Sequence, residues 1–164
     1  MRRIRFAAAL AGAAACLVPA VAAAQASPAE GREDVLNFRE DDPAMNAAIV
    51  RGRATVSTFF GHWAAQAPGE DSFHLKFDLI PGPAAEFIWA EVIARDGSKT
   101  RALLLNEPID SRWKVGDEVT IDDRDIVDWI YRKDGVVQGG STLRVMLDAM
   151  PAEEADSYRR AYGW

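Results

Sequence analysis

Few side chains in this sequence combine the types and the spacing that metal binding or nucleophilic catalysis requires. The two histidines are His62 and His74, whereas a zinc site usually takes three or four nitrogen or sulfur ligands. No H-x-x-x-H pair or comparable spacing is present, so we expect both histidines to face solvent. We therefore expect no metal ion, and the sequence contains no cofactor-binding loop that would predict a cofactor.

A serine hydrolase needs a nucleophile, a base and an orienting acid, and the sequence has no G-x-S-x-G motif. Ser141 follows Gly139-Gly140 and precedes a helical pattern, so we expect its hydroxyl to cap that helix. The glycine pair could offer backbone N–H groups to an anion, but a tight turn between a strand and a helix explains it equally well. Residues 122–125 lack the central glycine and the final glutamate of an EF-hand calcium loop.

Glu91 is the acid with the best claim to a catalytic role. It interrupts an otherwise apolar stretch, residues 86–94, beside Trp89. A carboxyl group in a dry setting can have a raised pKa and act as an acid, and glycoside hydrolysis uses two such groups about 5 to 10 Å apart. More often a residue of this kind lies at a strand end or pairs with an arginine. A carboxylate-dependent hydrolase therefore stays an alternative, and we assign no catalytic residue.

The strongest cluster of functional side-chain types joins Asp128, Trp129 and Arg144. Asp128 and Trp129 are neighbours on a predicted strand and point to opposite faces, and Arg144 could fold back onto the same strand. In the interpretation that we favour, Asp128 pairs with Arg144 and holds the last helix to the sheet; if the pair is buried, losing one partner costs about 3 to 5 kcal/mol. In the functional interpretation, Trp129, Tyr131 and Arg144 form an exposed recognition patch, because their residue types dominate interface hot spots.

Hydrophobic periodicity predicts the elements that position these side chains. Asp42-Pro43 can start a helix that ends near Gln66, and its apolar residues fall in one stripe: Met45, Ala48, Ile49, Gly52, Val56, Phe59, Phe60 and Trp63. The period then changes to two, which predicts strands at 73–79, 86–94, 100–105, 118–121, 126–131 and 136–138. On the first of them, His74, Lys76 and Asp78 form the polar face.

Two short helices close the chain in this prediction. Leu143, Met146, Leu147 and Met150 share one helical face, and Pro151 opens a last helix. The fold class is therefore α+β: an N-terminal amphipathic helix, a curved antiparallel sheet of five to six strands and two short C-terminal helices, with the helices on one face of the sheet.

The first 26 residues are typical of a secretory signal peptide. A basic start is followed by an apolar stretch that ends in the small-x-small pattern Ala24-Gln25-Ala26, where we expect cleavage. The single cysteine, Cys16, lies inside this segment. We expect residues 27–41 to be a flexible lead-in, residues 42–164 to be a single domain, and no mature segment to span a membrane. The predicted location is the periplasm or the cell exterior.

Several short sequence motifs in the second half of the chain resemble those of a known family. In order, they are Phe87-Ile88-Trp89, Asn106-Glu107-Pro108, Gly116-Asp117-Glu118-Val119, Ile126-Val127-Asp128-Trp129 and Gly139-Gly140-Ser141-Thr142-Leu143-Arg144. Together with the start of the first helix, they resemble the bacterial domain of unknown function 2314 family over roughly residues 41–154. The resemblance implies a small α+β domain and brings no activity, cofactor or catalytic residue. The residues that we assign to fold-determining motifs are Asn106, Pro108, Gly116, Asp117, Gly139, Gly140 and Thr142.

Charge limits the partners that this protein can bind. Without residues 1–26, 138 residues remain with 16 basic and 25 acidic side chains, a formal charge of −9. Because nucleic acids and anionic membranes attract basic surfaces, we expect neither as a partner. The leading hypothesis is a non-catalytic binding module for a protein or envelope component. The alternatives are a small hydrolase acting on envelope glycan and an immunity-type inhibitor of a secreted toxin. The candidate binding residues are Trp89, Glu91, Asp128, Trp129, Tyr131 and Arg144.

Overall fold

The computed structural model describes residues 3–6, 36–39, 41–80 and 85–164. Most of the proposed signal peptide and of the lead-in lies outside the described residues. The strands and helices follow in this order: β1 (Arg3–Phe6), β2 (Leu36–Arg39), α1 (Pro43–Ala65), β3 (Glu70–Asp78), β4 (Glu86–Asp96), β5 (Lys99–Leu104), β6 (Glu118–Asp122), β7 (Ile126–Lys133), β8 (Val136–Gly139), α2 (Ser141–Ala149) and α3 (Ala152–Tyr162).

The sheet confirms the predicted α+β class. Strands β3 to β8 form antiparallel pairs in the spatial order β6-β5-β4-β3-β7-β8, and three α-helices accompany them in the described part of the chain. The six predicted strands are all present. In addition, β1 pairs antiparallel with β2 and lies parallel to the start of β4, so one pair among the described strands is parallel.

Helix α1 begins and ends where local signals predict. The Asp42 carboxylate accepts a hydrogen bond from the backbone N–H of Met45 at 2.8 Å, and Pro43 occupies the first turn, where its missing N–H costs nothing. The helix ends at Ala65, because Gln66 turns into the left-handed region with a φ of 47°. None of the described helices is both long and apolar enough to cross a membrane.

Helix α1 packs closely against the backbone of β7. A Cβ atom on Gly52 would lie 2.4 Å from the carbonyl oxygen of Val127, so only glycine allows this approach. On either side, Arg53 Nε donates to the carbonyl oxygen of Ile126 at 3.1 Å, and the indole N–H of Trp129 donates to Thr55 Oγ1 at 3.0 Å. These contacts fix the part of β7 that carries Asp128.

The two faces of the sheet bury separate apolar clusters. Leu75 lies opposite Ala90 and Trp129, whereas its neighbour Lys76 lies opposite Trp89 and Asp128, so the two sets point to opposite faces. The first cluster includes Phe59 of α1, and the second combines residues of α1, α2 and α3. The expectation that all helices pack on one face was therefore wrong, because α1 contributes to both clusters.

Candidate functional site

A buried polar cluster joins the middle of the sheet to the start of α2. The Asp128 carboxylate is fully buried. It accepts hydrogen bonds from the backbone N–H groups of Trp129 at 2.9 Å, Ser141 at 3.2 Å and Thr142 at 2.7 Å, and from Thr142 Oγ1 at 2.7 Å. Two of these donors are the first N–H groups of α2, which lack partners inside the helix. Asp128 therefore caps α2 from a neighbouring strand.

Lys76 completes the cluster from the adjacent strand. We expected it on a polar face open to solvent, but its side chain is fully buried, because α2 covers this face of the sheet. Its Nζ atom lies 3.4 Å from Thr142 Oγ1, 3.5 Å from Met146 Sδ and 5.3 Å from the centre of the Trp89 ring. Thr142 thus links the amine to the Asp128 carboxylate.

The electrostatics of the cluster follow from its burial. Desolvation lowers the pKa of Lys76 to about 7, and the negative charge of Asp128 partly offsets this effect. Desolvation also raises the pKa of Asp128, while the hydrogen bonds from Thr142 and the charge of Lys76 act in the opposite direction. Since Lys76, Asp128 and Thr142 are all buried, the cluster offers no surface to a substrate.

Two predicted contacts around this cluster were wrong. Arg144 does not pair with Asp128; its guanidinium is exposed and stacks on the Trp164 ring at 3.7 Å. Ser141 does not cap α2 through its hydroxyl, because the residue before the helix is Gly140, in the left-handed region, and the Asp128 carboxylate supplies the cap. Asp128 does connect a C-terminal helix to the sheet, but its partners are Ser141 and Thr142 and not Arg144.

The predicted aromatic recognition patch is not exposed. Trp129 and Tyr131 have exposed fractions of 8% and 5%, and Trp89 has 2%. Trp129 and Tyr131 stack with ring centres 6.1 Å apart, and Tyr131 also stacks on Phe73 at 5.3 Å. Both faces of the sheet are covered by apolar clusters, so packing within the core explains why these three aromatic side chains are buried.

The motif residues lie at turns that connect the strands. The Asn106 side-chain oxygen accepts from the backbone N–H of Trp89 at 3.0 Å, and Pro108 is buried nearby along the chain. Asp117 accepts from the backbone N–H of Lys114 at 3.0 Å. Gly116, Gly139 and Gly140 all have a positive φ, between 71° and 85°, which favours glycine.

An open groove of about 570 Å³ lies where the end of α1 meets β3 and β4. Its lining combines apolar and acidic side chains, among them Trp63, Glu70, Asp71, Phe73, Glu91 and Ile93. Glu91 is exposed in the middle of β4, so it lies neither at a strand end, as we favoured, nor in the dry setting that the catalytic alternative requires. Among the described residues, its carboxylate has no hydrogen-bond or ion-pair partner.

A second carboxylate of the groove is already occupied. Glu70 is almost fully buried, and both of its oxygens contact His62 Nδ1, at 2.9 and 3.1 Å. Lys133 Nζ adds an ion pair to the same carboxylate at 3.3 Å. The His62 ring also stacks on Tyr131 at 4.7 Å. Glu70 therefore has structural partners, whereas Glu91 can take a ligand.

His74 departs from the expectation of a solvent-facing histidine. It is largely buried, and desolvation together with the positive charge of Arg132 lowers its pKa to about 4, with the charge of Asp71 acting in the opposite direction. Within the described residues, no group of three or more histidine, cysteine or acidic side chains could hold a metal ion.

The low pKa of His74 makes the protein less stable in acid. Between about pH 6.5 and 4 the unfolded chain holds a proton on this imidazole while the folded state does not, so the free energy of unfolding falls as the pH falls. A shift of this size corresponds to about 3 kcal/mol. Urea denaturation across this range should show a shallower loss in His74→Gln than in the wild type. Identical pH profiles for the two proteins would contradict the assignment.

Sequence reasoning missed Lys76 as the central residue of the buried cluster. Polar residues at every second position of a strand, here His74, Lys76 and Asp78, are typical of a solvent-facing side. Nothing in the local sequence distinguishes Lys76 from a lysine that faces solvent. A signal that could have indicated its burial lies farther along the chain. The helix that starts after the Gly-Gly turn has an apolar face, and this face must cover part of the sheet.

Comparison with known proteins gives a family match and two relatives. A family model described as "Uncharacterized protein conserved in bacteria (DUF2314)" matches residues 42–164. The uncharacterised protein YegJ of Escherichia coli K12 is 28% identical over 120 residues, which cover 73% of this chain and 77% of the relative. A putative ankyrin repeat protein of Neisseria meningitidis serogroup B is 31% identical over 83 residues, which cover 50% of this chain and 33% of that longer relative. No solved structure matches the chain.

Proposed function

The chain belongs to the DUF2314 family of uncharacterised bacterial proteins, and we propose that it is an exported binding module whose groove binds a basic segment of a partner protein. One observation carries this proposal: an unpartnered carboxylate, Glu91, stands in an open groove beside apolar side chains. Binding sites for protein partners commonly combine an apolar contact area with polar groups around it.

The lining of the groove determines the chemistry of the ligand. Trp63, which is partly exposed, offers aromatic surface, and Asp71 and Glu91 offer negative charge. An arginine or lysine side chain suits both, because its aliphatic stem packs on aromatic rings and its charged end reaches the carboxylates. The formal charge of −6 for the full chain would also attract a basic partner at long range.

The proposed location follows from the N-terminal sequence. We propose that the signal peptide directs the chain out of the cytoplasm and is removed near Ala26, which places the groove in the periplasm or outside the cell. A basic partner there is consistent with the more specific alternative of an immunity-type inhibitor, in which the partner is a secreted toxin.

The binding proposal can be tested by neutralising Glu91. Purified wild-type protein and Glu91→Gln are immobilised and exposed to envelope extract, and captured proteins are quantified by mass spectrometry. We expect a basic protein whose capture falls about fivefold in the variant, since a partly exposed charge pair contributes about 1 kcal/mol. Capture should also weaken as salt increases.

A matched control separates the groove from general surface charge. Glu107→Gln removes the same charge at an exposed position outside the groove, and it should leave capture unchanged. Equal capture by all three proteins would refute the groove as the binding site. The glycan-hydrolase alternative predicts a different result: soluble fragments released from envelope glycan by the wild type and not by Glu91→Gln.

A further inference from the structure

The sheet opens between β3 and β4 where the groove lies. The last registered pair between these strands joins His74 to Glu91. Beyond this pair, β3 lies along β7 and β4 lies along β5. Among the described residues, no registered pair joins residues 70–72 of β3 to residues 93–96 of β4. Two neighbouring strands of the sheet therefore separate before either of them ends.

Each of the two strands has an irregularity where they separate. The register of β3 with β7 shifts between Asp71 and His74, and Ser72 in this segment has a positive φ of 54°. The register of β4 with β5 shifts between Val92 and Ala94. A bulge bends the strand that contains it and is common at sheet edges and next to functional sites. Two bulges at the same level of the sheet explain why β3 and β4 turn away from each other.

Both strands line the groove at this opening, through Ser72, Phe73, Val92 and Ile93. Successive residues of a strand direct their backbone N–H and C=O groups to alternate sides. Beyond the last registered pair, every second residue therefore has no partner among the described strands on the groove side. Unpaired backbone of this kind is a template for pairing with another chain. The groove thus offers backbone hydrogen-bonding groups as well as side chains.

We propose that the groove binds its partner by strand addition: an extended segment of the partner protein pairs through its backbone with β4 beyond Glu91. This inference rests on the proposed function of the groove as a site for a basic segment, and it adds the conformation and the sequence pattern of that segment. In strand addition, backbone hydrogen bonds supply affinity, and contacts to alternate side chains supply specificity.

The two faces of β4 predict the sequence pattern of the added strand. Val92 is buried in one apolar cluster with Phe73, and Trp63 of α1 packs against that cluster. Glu91, the preceding residue, points to the opposite face, where it is exposed. An added strand continues the same pleat, so its apolar side chains lie toward Trp63 and its lysines or arginines toward Glu91. The exposed Asp71 in the groove lining adds further negative charge. The partner segment therefore alternates basic and apolar residues.

Strand addition is tested with a peptide whose backbone is changed without changing its side chains. The probe is a capped octapeptide of alternating arginine and valine. Two analogues carry N-methyl groups either on every valine or on every arginine, so they have equal charge, and each lacks the N–H groups of one edge of the extended peptide. We expect one analogue to bind about tenfold more weakly than the parent peptide, since it loses hydrogen bonds to β4. The other should bind as the parent does.

Hydrogen exchange of the full-length protein locates the added strand. The parent peptide should slow exchange of the amides in residues 93–96 that face the groove. Exchange in β6, which pairs only with β5 among the described strands, should not change. Protection confined to β6 would place the peptide at the outer edge of the sheet and overturn the proposal. Equal affinity of the three peptides would also overturn it, because side chains alone would then account for binding.

Glu91→Gln distinguishes failure of strand addition from failure of the proposed function. If the variant binds the parent peptide about fivefold more weakly while the wild type binds all three peptides equally, the groove binds basic side chains and strand addition is wrong. If the analogues differ on the wild type but Glu91→Gln binds the parent peptide normally, strand addition stands and recognition of charge by Glu91 is wrong. Glu107→Gln, outside the groove, should match the wild type throughout.

A parent peptide that does not bind at millimolar concentration would overturn strand addition as well. Capture of a basic protein from envelope extract would then judge the proposed function separately, because that measurement depends on the charge of Glu91 and not on the backbone conformation of the ligand.

Discussion

Replacing Asp128 with alanine is expected to destabilise the protein by about 3 to 5 kcal/mol, the cost of leaving a buried ionic partner and several donors unsatisfied. The carboxylate accepts four hydrogen bonds, two of them from the first N–H groups of α2. Without it, those groups have no acceptor, and Lys76 loses the negative charge that acts on it. Urea denaturation at constant pH measures the effect.

The control for this substitution lies on the same helix. Asp148 is an exposed residue of α2 that pairs with Arg159 at 3.0 Å, and its replacement by alanine should change stability by less than about 1 kcal/mol. A loss of under 1 kcal/mol in Asp128→Ala would show that Asp128 is not the cap of α2.

A double-mutant cycle separates the two roles of Asp128. In a Lys76→Met background no buried amine needs compensation, so Asp128→Ala should cost less there than in the wild type, and the remaining cost measures the cap alone. If Asp128→Ala costs the same in both backgrounds, the carboxylate acts only on the helix N-terminus.

Local patterns were enough to predict the three helices and strands β3 to β8, but not β1 or β2. The Asp42-Pro43 start and the period-two alternation from Phe73 onward depend on neighbours in sequence, and the structure has a helix and a strand there. The packing of α1 against the sheet was harder to predict, because α1 can lie close to β7 only where Gly52 has no side chain. A glycine inside a helical stripe does not reveal which backbone it approaches.

The partners inside the site could not be predicted for a different reason. Thr142 and Arg144 directly follow the Gly139-Gly140 turn in the chain, and charge alone favours pairing Asp128 with Arg144. The turn instead presents the N–H groups of Ser141 and Thr142 to Asp128, and Arg144 points to Trp164. Backbone direction decides this choice, and side-chain chemistry does not.

Gly139→Ala is expected to destabilise the protein by about 2 to 5 kcal/mol, because two costs combine at this position. The residue has a φ of 77°, where any side chain costs about 1 to 2 kcal/mol. A Cβ atom would also lie 2.3 Å from the Trp129 carbonyl oxygen and 2.5 Å from its indole ring. That carbonyl accepts from the N–H of Gly140 at 2.9 Å, so it cannot move without loosening the start of α2, and overpacking of this kind costs about 1 to 3 kcal/mol.

Gly116→Ala is the matched control, because it separates the two costs. Gly116 has a similar φ, 85°, but its Cβ would meet nothing within 4 Å. Its replacement should therefore cost only the conformational part, about 1 to 2 kcal/mol. The difference between the two variants, measured by urea denaturation, gives the energy of the contact between Gly139 and Trp129. Equal losses would mean that the turn needs glycine for its backbone conformation alone, and that close packing on Trp129 does not hold α2 against the sheet.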